Sequence, residues 1–242
     1  DDELYGSDGD DLLDGGTGKD VLSGGSGSDT FIIRSGDGSS SIANADTVTD
    51  FTDGTDVVAL DGLSFTDLTI AQGSGDYLNH LLVSKTSSGE YLAIIQNITI
   101  SDFTILDFTS ASTSNQTING TTGNDQLIGG SGNDTFNGNN GNDTILGWSG
   151  NDTVNVTSKT GAFSDTLNGG SGTDTLVINY GSYTITDFSI SYNSSTNTIS
   201  FTDPNGGVVA ASNFELFTFA GDSYHFIYDG YNYNNQKQIN TG

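Results

Sequence analysis

The chain has no cysteine, a single proline and only five lysines and arginines. Without cysteine there is neither a disulfide framework nor a thiolate metal site, a composition compatible with export. Five positive charges against 31 acids leave a formal net charge of -26. Such a chain is repelled by nucleic acid and by anionic membrane surfaces. Its longest hydrophobic cluster, around Tyr91 to Ile95, falls far short of the ~20 residues that span a bilayer, so no membrane insertion is expected. No secretory signal peptide opens the chain. Catalytic signatures are also missing: there is no HExxH, no GxSxG and no P-loop. The two histidines, His80 and His225, lie far apart without a neighbouring motif and read as surface or packing residues. Asp pairs of the glycosidase kind find no support, because repeats and turns account for so many of the aspartates. The chain is therefore expected not to be an enzyme.

What the chain does have is glycine and aspartate. There are 34 glycines among 242 residues, and Asp supplies 28 of the 31 acids. A solubilising surface would mix Asp, Glu and Lys. A bias to the short carboxylate points to turns, or to sites for hard cations that require oxygen ligands. With so much glycine, helix is not expected to dominate.

The glycines and aspartates recur with a period of nine. Three complete nonapeptides run GSDGDDLLD (Gly6–Asp14), GGTGKDVLS (Gly15–Ser23) and GGSGSDTFI (Gly24–Ile32). A second array runs GTTGNDQLI (Gly120–Ile128), GGSGNDTFN (Gly129–Asn137), GNNGNDTIL (Gly138–Leu146) and GWSGNDTVN (Gly147–Asn155). It is interrupted from Val156 to Ser164 and resumes with Asp165-Thr166-Leu167 and GGSGTDTLV (Gly169–Val177). The opening DDELYG fits the same frame from its middle, with Asp2 in the aspartate slot and Leu4 in the apolar slot, so a fragment of a longer protein is expected.

Glycines at slots one, two and four allow positive φ, so six residues can reverse the chain tightly. The next three form a short strand whose middle side chain points inward. Two repeats then make one flattened coil of 18 residues, with Leu4, Leu13, Leu22, Phe31, Ile118, Leu127, Phe136, Ile145, Val154, Leu167 and Leu176 inside. Ordering nine backbones for each buried side chain is unfavourable, and stacked carboxylates repel one another. Something must bind between the turns. Residues 18 apart share an edge, which pairs Asp2 with Asp20, Asp11 with Asp29, Asp125 with Asp143 and Asp134 with Asp152. Asp side chains plus loop carbonyls offer about six oxygens, which suits calcium better than magnesium or zinc. Isolated turn formation would explain each bend but not the fixed spacing. An EF-hand lacks its ligand spacing and closing Glu here.

The repeats resemble those of the RTX, or haemolysin-type calcium-binding, family. That resemblance implies several calcium ions held between neighbouring GGxGxD loops. The ligand candidates are Asp2, Asp11, Asp20, Asp29, Asp125, Asp134, Asp143, Asp152, Asp165 and Asp174, with loop residues Gly6, Gly15, Gly24, Gly120, Gly129, Gly138, Gly147 and Gly169. The expected fold is all-β: two calcium-bound parallel β-roll blocks, each followed by a β-rich capping segment. The expected boundaries are residues 1–110 for the first roll and cap, 111–117 for a polar linker, and 118–242 for the second roll and its β-rich end. An open coil end exposes strand edges and needs such a cap. In the first cap, Ala45–Ile70 alternates around turns and His80–Ile100 reads as a hairpin turning near Ser87–Gly89. In the second, Thr175–Asp203 alternates around NSSTN. Trp148, at a second-glycine slot, is expected either to contact a sugar or neighbouring subunit or to pack over an adjacent loop. The Tyr224 to Tyr233 cluster reads as an assembly surface or as plain strand propensity.

Three functions compete. One is a calcium-stabilised structural module of a secreted surface protein: an S-layer, adhesin, or matrix or filament subunit. That role brings possible self-association with neighbouring copies on the cell surface. Another is the accessory and secretion module of an exoenzyme whose catalytic domain lies outside this chain. A pore-forming toxin would need an apolar segment the chain does not have. The family resemblance implies export through a type I channel, unfolded where calcium is scarce, to the extracellular space or cell surface.

Overall fold

A computed structural model describes residues 1–219, together with the backbone of strands Asp222–Phe226 and Ile239–Thr241. The fold is all-β. Its helical content among the described residues is limited to three-residue 3₁₀ turns. The chain forms two compact units, Asp1–Ala111 and Ser112–Gly242.

Each unit is a parallel roll of two sheets. In the first, consecutive strands alternate between the sheets, so the nine-residue repeat places every second strand side by side. One sheet runs Glu3–Asp8, Val21–Ser26, Asp46–Val48 and Tyr91–Gln96 in parallel, then His80–Lys85 and Leu68–Gln72 antiparallel. The other runs Leu12–Leu13, Thr30–Arg34, Val57–Asp61 and Phe108–Ser110, all parallel. In register, Leu4 lies beside Leu22, Leu22 beside Val48 and Val48 beside Ile95. On the second sheet Leu13, Phe31, Val58 and Phe108 follow one another in the same way.

The second unit repeats the plan. Ile118, Phe136, Val154, Leu176 and Phe217 form one ladder across parallel strands. Leu127, Ile145, Leu167 and Ala211 form the other. These side chains meet in a single core, and nine of the eleven inward positions read from the sequence are buried. The exceptions, Leu4 and Ile118, sit on the outermost strand of their sheets and are half-buried.

The capping segments contain more roll than their sequences suggest. Asp46–Val48, Val57–Asp61, Val208–Ser212 and Leu216–Phe219 are further parallel strands, reached through insertions that break the period of nine. Each unit also carries an antiparallel meander at the edge of one sheet. In the first unit His80–Lys85 and Tyr91–Gln96 form the hairpin, closed by Gly89 N–H donating to Lys85 C=O at 2.8 Å. In the second, Ser189–Asn193 pairs with Thr198–Thr202 around the NSSTN turn.

Aromatic rings cover the ends of both cores. Phe103 packs edge-on to Phe51 and Phe108 at 5.3 and 5.0 Å, and Phe188 does so to Tyr180 and Phe219 at 5.2 and 5.4 Å. Three of the 3₁₀ turns leading into these regions share one device. In SFTD, TILD and TITD the first residue and the fourth, Asp67, Asp107 or Asp187, cap one another reciprocally.

The polar stretch 111–117, expected as a linker, is structured on both sides of the unit boundary. Ala111 N–H donates to Leu60 C=O and completes the first roll. Residues 112–116 form the first loop of the second roll: Ser112 C=O accepts from Ser131 N–H at 3.2 Å, and Gln116 C=O from Thr135 N–H at 2.9 Å. This is a repeat whose glycines have been replaced, which hides it from a composition-based reading.

Phe136 is fully buried in the second core. Phe136→Ala is expected to destabilise that unit by about 3–5 kcal/mol, measured by denaturant unfolding in the presence of calcium.

Candidate metal centre

The aspartate that ends each loop precedes a strand, and its side chain turns back along the loop edge. One of its oxygens, Oδ1, accepts the backbone N–H of the aspartate one coil earlier. Asp29 Oδ1 accepts from Asp11 N–H at 3.0 Å, Asp143 Oδ1 from Asp125 N–H at 3.1 Å and Asp152 Oδ1 from Asp134 N–H at 2.7 Å. The pairing persists where the coil lengthens: Asp165 Oδ1 accepts from Asp143 N–H at 2.9 Å and Asp174 Oδ1 from Asp152 N–H at 2.7 Å. Asp2 N–H donates likewise to Asp20. The expected aspartates are thus joined in ladders along the edges of their own units.

The ladders run further than the repeats. Asp46 accepts from Asp20 N–H at 2.9 Å, Asp56 from Asp29 N–H at 2.9 Å, and Glu215 from Asp174 N–H at 2.7 Å. Gln116 fills an aspartate position at the start of the second unit and donates its N–H to Asp134 Oδ1 at 2.8 Å. Asp46, Asp56 and Glu215 escape a search for nine-residue spacing, whereas Gln116 is in the frame but is not an acid. The local signal was an acid followed by a polar or apolar residue and then an inward apolar one, as in DTV, DVV and ELF.

A second, neutral ladder runs beside the first in the second unit. Asn115 Oδ1 accepts from Asn133 N–H, Asn133 from Asn151 N–H and Asn124 from Asn142 N–H, at 2.8 to 2.9 Å. In the first unit the equivalent acceptors are carboxylates, Asp1 for Lys19 N–H and Asp10 for Ser28 N–H.

The other carboxylate oxygen decides the chemistry. Oδ2 of Asp11, Asp20, Asp29, Asp152 and Asp174 is buried and has no hydrogen-bond partner. A carboxylate oxygen withdrawn from water without a donor is costly, and such groups normally find a counter-ion. The slot-one glycines stand against these oxygens. A Cβ on Gly6 would lie 2.6 Å from Asp11 Oδ2 and 2.5 Å from Gly24 C=O, and one on Gly15 would lie 2.8 Å from Asp20 Oδ2. At Gly24, Gly147 and Gly169 a Cβ would overlap Asp29, Asp152 and Asp174 in the same way. Slot-one glycines do not take positive φ, contrary to expectation; glycine is needed there for room. Positive φ is found at the other two slots, for example Gly170 at 97° and Gly172 at 141°, but not at Gly123 or Gly132. At Gly120, Gly129 and Gly138 a Cβ would meet Asp125, Asp134 and Asp143 as well. The oxygens of Asp125 and Asp134 differ from the unpartnered set, because Thr121 N–H and Gly130 N–H donate to their Oδ2 atoms at 2.7 and 3.0 Å.

Carboxylate and carbonyl oxygens around a space kept clear by glycine form a hard, anionic donor set. That set fits calcium. No three His, Cys, Asp or Glu side chains come together among the described residues, so main-chain carbonyls would have to complete the coordination. Burial, with the charges of Asp174 and Asp134 adding to it, pushes the Asp152 carboxyl up to about 7. Asp46 is pushed up to about 6, by burial first and then by its neighbours Asp20 and Asp37. Burial also raises Asp174 and Asp56.

Two of the expected ligand aspartates, Asp143 and Asp165, face a lysine. Lys159 takes both: its Nζ lies 2.8 Å from Asp143 Oδ2 and 2.7 Å from Asp165 Oδ1. Trp148 is half-buried at φ 72°, and its carbonyl accepts from Ser171 N–H at 2.7 Å, so its backbone serves loop stacking. His80 Nδ1 accepts from Asn97 N–H at 3.3 Å within the meander. The side chain of His225 and the Tyr224 to Tyr233 cluster lie outside the described residues.

The RTX calcium-binding nonapeptide repeat matches residues 1–31, 112–155 and 157–177, in four copies. The chain therefore carries calcium-binding RTX repeats in both units. No curated protein matches it. Among solved structures it is similar to the extracellular lipase LipA from Serratia marcescens, with 19% sequence identity and a TM-score of 0.30. That alignment covers 87% of this chain and 37% of the lipase chain, so the chain spans well under half the length of that protein.

A carboxyl whose native pKa lies above its unfolded value stabilises the fold when protonated. For Asp152 this contribution is complete below about pH 4 and is lost as the pH rises to about 7. Calcium-free protein is expected to show more β-sheet circular dichroism near pH 5 than near pH 8, measured in metal-stripped buffer. A flat or inverted profile contradicts the assignment.

Proposed function

We propose that this chain is a calcium-folded structural module of a secreted bacterial surface protein, of the S-layer, adhesin or extracellular filament kind. The observation that carries the calcium part is the set of buried, unpartnered Oδ2 atoms set against slot-one glycines. Asp11, Asp20, Asp29, Asp152 and Asp174 are the side chains best placed to act as ligands, with carbonyls of the adjoining loops. Asp2 sits at the exposed outer end of its ladder and contributes least.

Calcium supplies two positive charges and accepts six to eight oxygen ligands. The chain supplies the rest. Oδ1 of each aspartate holds the preceding coil through a backbone N–H, while Oδ2 turns to the space beside the glycine. The carboxylates repel each other as long as both oxygens of every pair are charged and unshared. Where calcium is scarce the coils stay open, which suits passage through a type I export channel. Outside the cell, binding energy becomes folding energy. Extracellular modules of this kind work at dissociation constants of about 10⁻⁴–10⁻³ M.

A structural role on a cell surface is supported by two tandem rolls built on one plan. It is also supported by the many aspartates given over to ladders and capping boxes. No helix among the described residues is long and apolar enough to cross a membrane.

Titrating calcium into chelated protein and following far-UV circular dichroism tests the first half of this reading. A calcium-dependent gain of β-sheet signal is expected. Asp20→Ala and Asp152→Ala should each shift the midpoint to higher calcium, by roughly tenfold if about 1.4 kcal/mol of site energy is lost. Spectra that stay unchanged in excess chelator reject the calcium-folding mechanism. Electron microscopy of the calcium-loaded chain tests the second half: ordered sheets or filaments support a surface subunit. A chain that stays monomeric favours an accessory module of an exoenzyme.

A further inference from the structure

Lys159 stands in the interruption of the second array, and its side chain is 3% exposed. Burying a lysine to that degree requires partners for all three ammonium protons. Three oxygens surround Nζ: Asp143 Oδ2 at 2.8 Å, Asp165 Oδ1 at 2.7 Å and the Gly141 carbonyl at 3.0 Å. These are two ladder aspartates from successive coils and the slot-four carbonyl of the loop between glycine and aspartate. They are the same types of group that converge on the other loop edges. The face of Phe163 covers the ammonium from another side, with its ring centroid 4.8 Å away. An aromatic face suits a desolvated ammonium and offers nothing to a hard divalent cation.

The same two coils contain an internal comparison. From Asp143 to Asp165 and from Asp152 to Asp174 the spacing is 22 residues in place of 18. Along the second of these edges Oδ2 of both Asp152 and Asp174 lacks a partner. Along the first, the chain has filled the position itself. The four extra residues that lengthen the coil lie in the segment that delivers Lys159 and Phe163.

We infer that the Lys159 ammonium replaces a divalent cation between Asp143 and Asp165, so that this rung is closed by the chain and takes up no calcium. This rests on the calcium reading of the other rungs. Closing this rung takes no calcium, so the ions that fold the second unit bind at its other rungs.

Reductive methylation of the full chain, read by peptide mass spectrometry with and without saturating calcium, tests this directly. Lys19 is exposed and serves as the reference. Lys159 is expected to react at least roughly tenfold more slowly than Lys19 in calcium, because modification must await local opening. Lys159 becoming as reactive as Lys19 in the calcium-loaded protein overturns the inference, since calcium would then have displaced the ammonium. Calcium counting by equilibrium dialysis gives a second measurement. Lys159→Ala, which leaves both carboxylates without their cation and opens room for water, is expected to bind one ion more per chain than the wild type. An unchanged count in folded variant overturns the inference. If the variant does not fold, the methylation result on the wild type decides alone. Failure of the underlying reading looks different: neither protein binds calcium at all.

Discussion

Everything in these two rolls depends on how one carboxylate divides its two oxygens. Oδ1 accepts a backbone N–H from the coil before it and sets the spacing between coils. Oδ2 is left facing a pocket of oxygens. A single acid per nine residues thereby acts as a structural acceptor and, where Oδ2 is unpartnered, as half of the cation site we propose. Asp is the right length for both tasks because it reaches the neighbouring loop without the extra rotamer freedom of Glu. Where Glu215 takes the position, at the end of the second ladder, it still accepts from the preceding coil, but its longer arm belongs to a loop of different shape.

This division explains why the glycines are distributed as they are. At slots two and four most loops use glycine for its backbone freedom, with Asn139 and Trp148 also at positive φ. Slot one needs glycine for space. In a collapsed turn that did nothing but reverse the chain, a small side chain at slot one would pack against its own aspartate. Here that volume lies between carboxylate and carbonyl oxygens.

Much of this was legible in the sequence. The period of nine gave the coil, the inward positions and the pairing of aspartates 18 apart, because identical short repeats leave the chain little choice of register. The hairpin at His80–Ile100 and the turn at NSSTN followed from alternation and turn residues. What the period could not reveal were the rungs beyond it. Asp46, Asp56 and Glu215 continue the ladders after insertions, and the ladder bond tolerates a change in coil length that a spacing search does not. The loop at 112–116 reads as linker because Ala111, Ser112 and Ser114 stand in the glycine slots, although its backbone still stacks. Lys159 was invisible for a different reason. Its partners are 6 and 16 residues away in sequence, and nothing in VTSKTGAFS announces that the loop folds back on the edge. The capping boxes at Ser64, Thr104 and Thr184 were readable from a Ser/Thr-x-x-Asp pattern but were hidden among so many other aspartates.

The neighbouring ladder at slot five separates the two units electrically. In the second unit its acceptors are asparagine amides, which stack without accumulating charge. In the first unit the same slot holds one carboxylate on each edge, Asp1 and Asp10, followed by Lys19 and Ser28, so negative charge is added only at the outer coil. Coulomb repulsion between that added charge and the neighbouring ladder aspartates weakens as ions shorten the Debye length. Salt therefore acts on the outer coil of the amino-terminal roll in a way that has no counterpart along the asparagine column of the other roll.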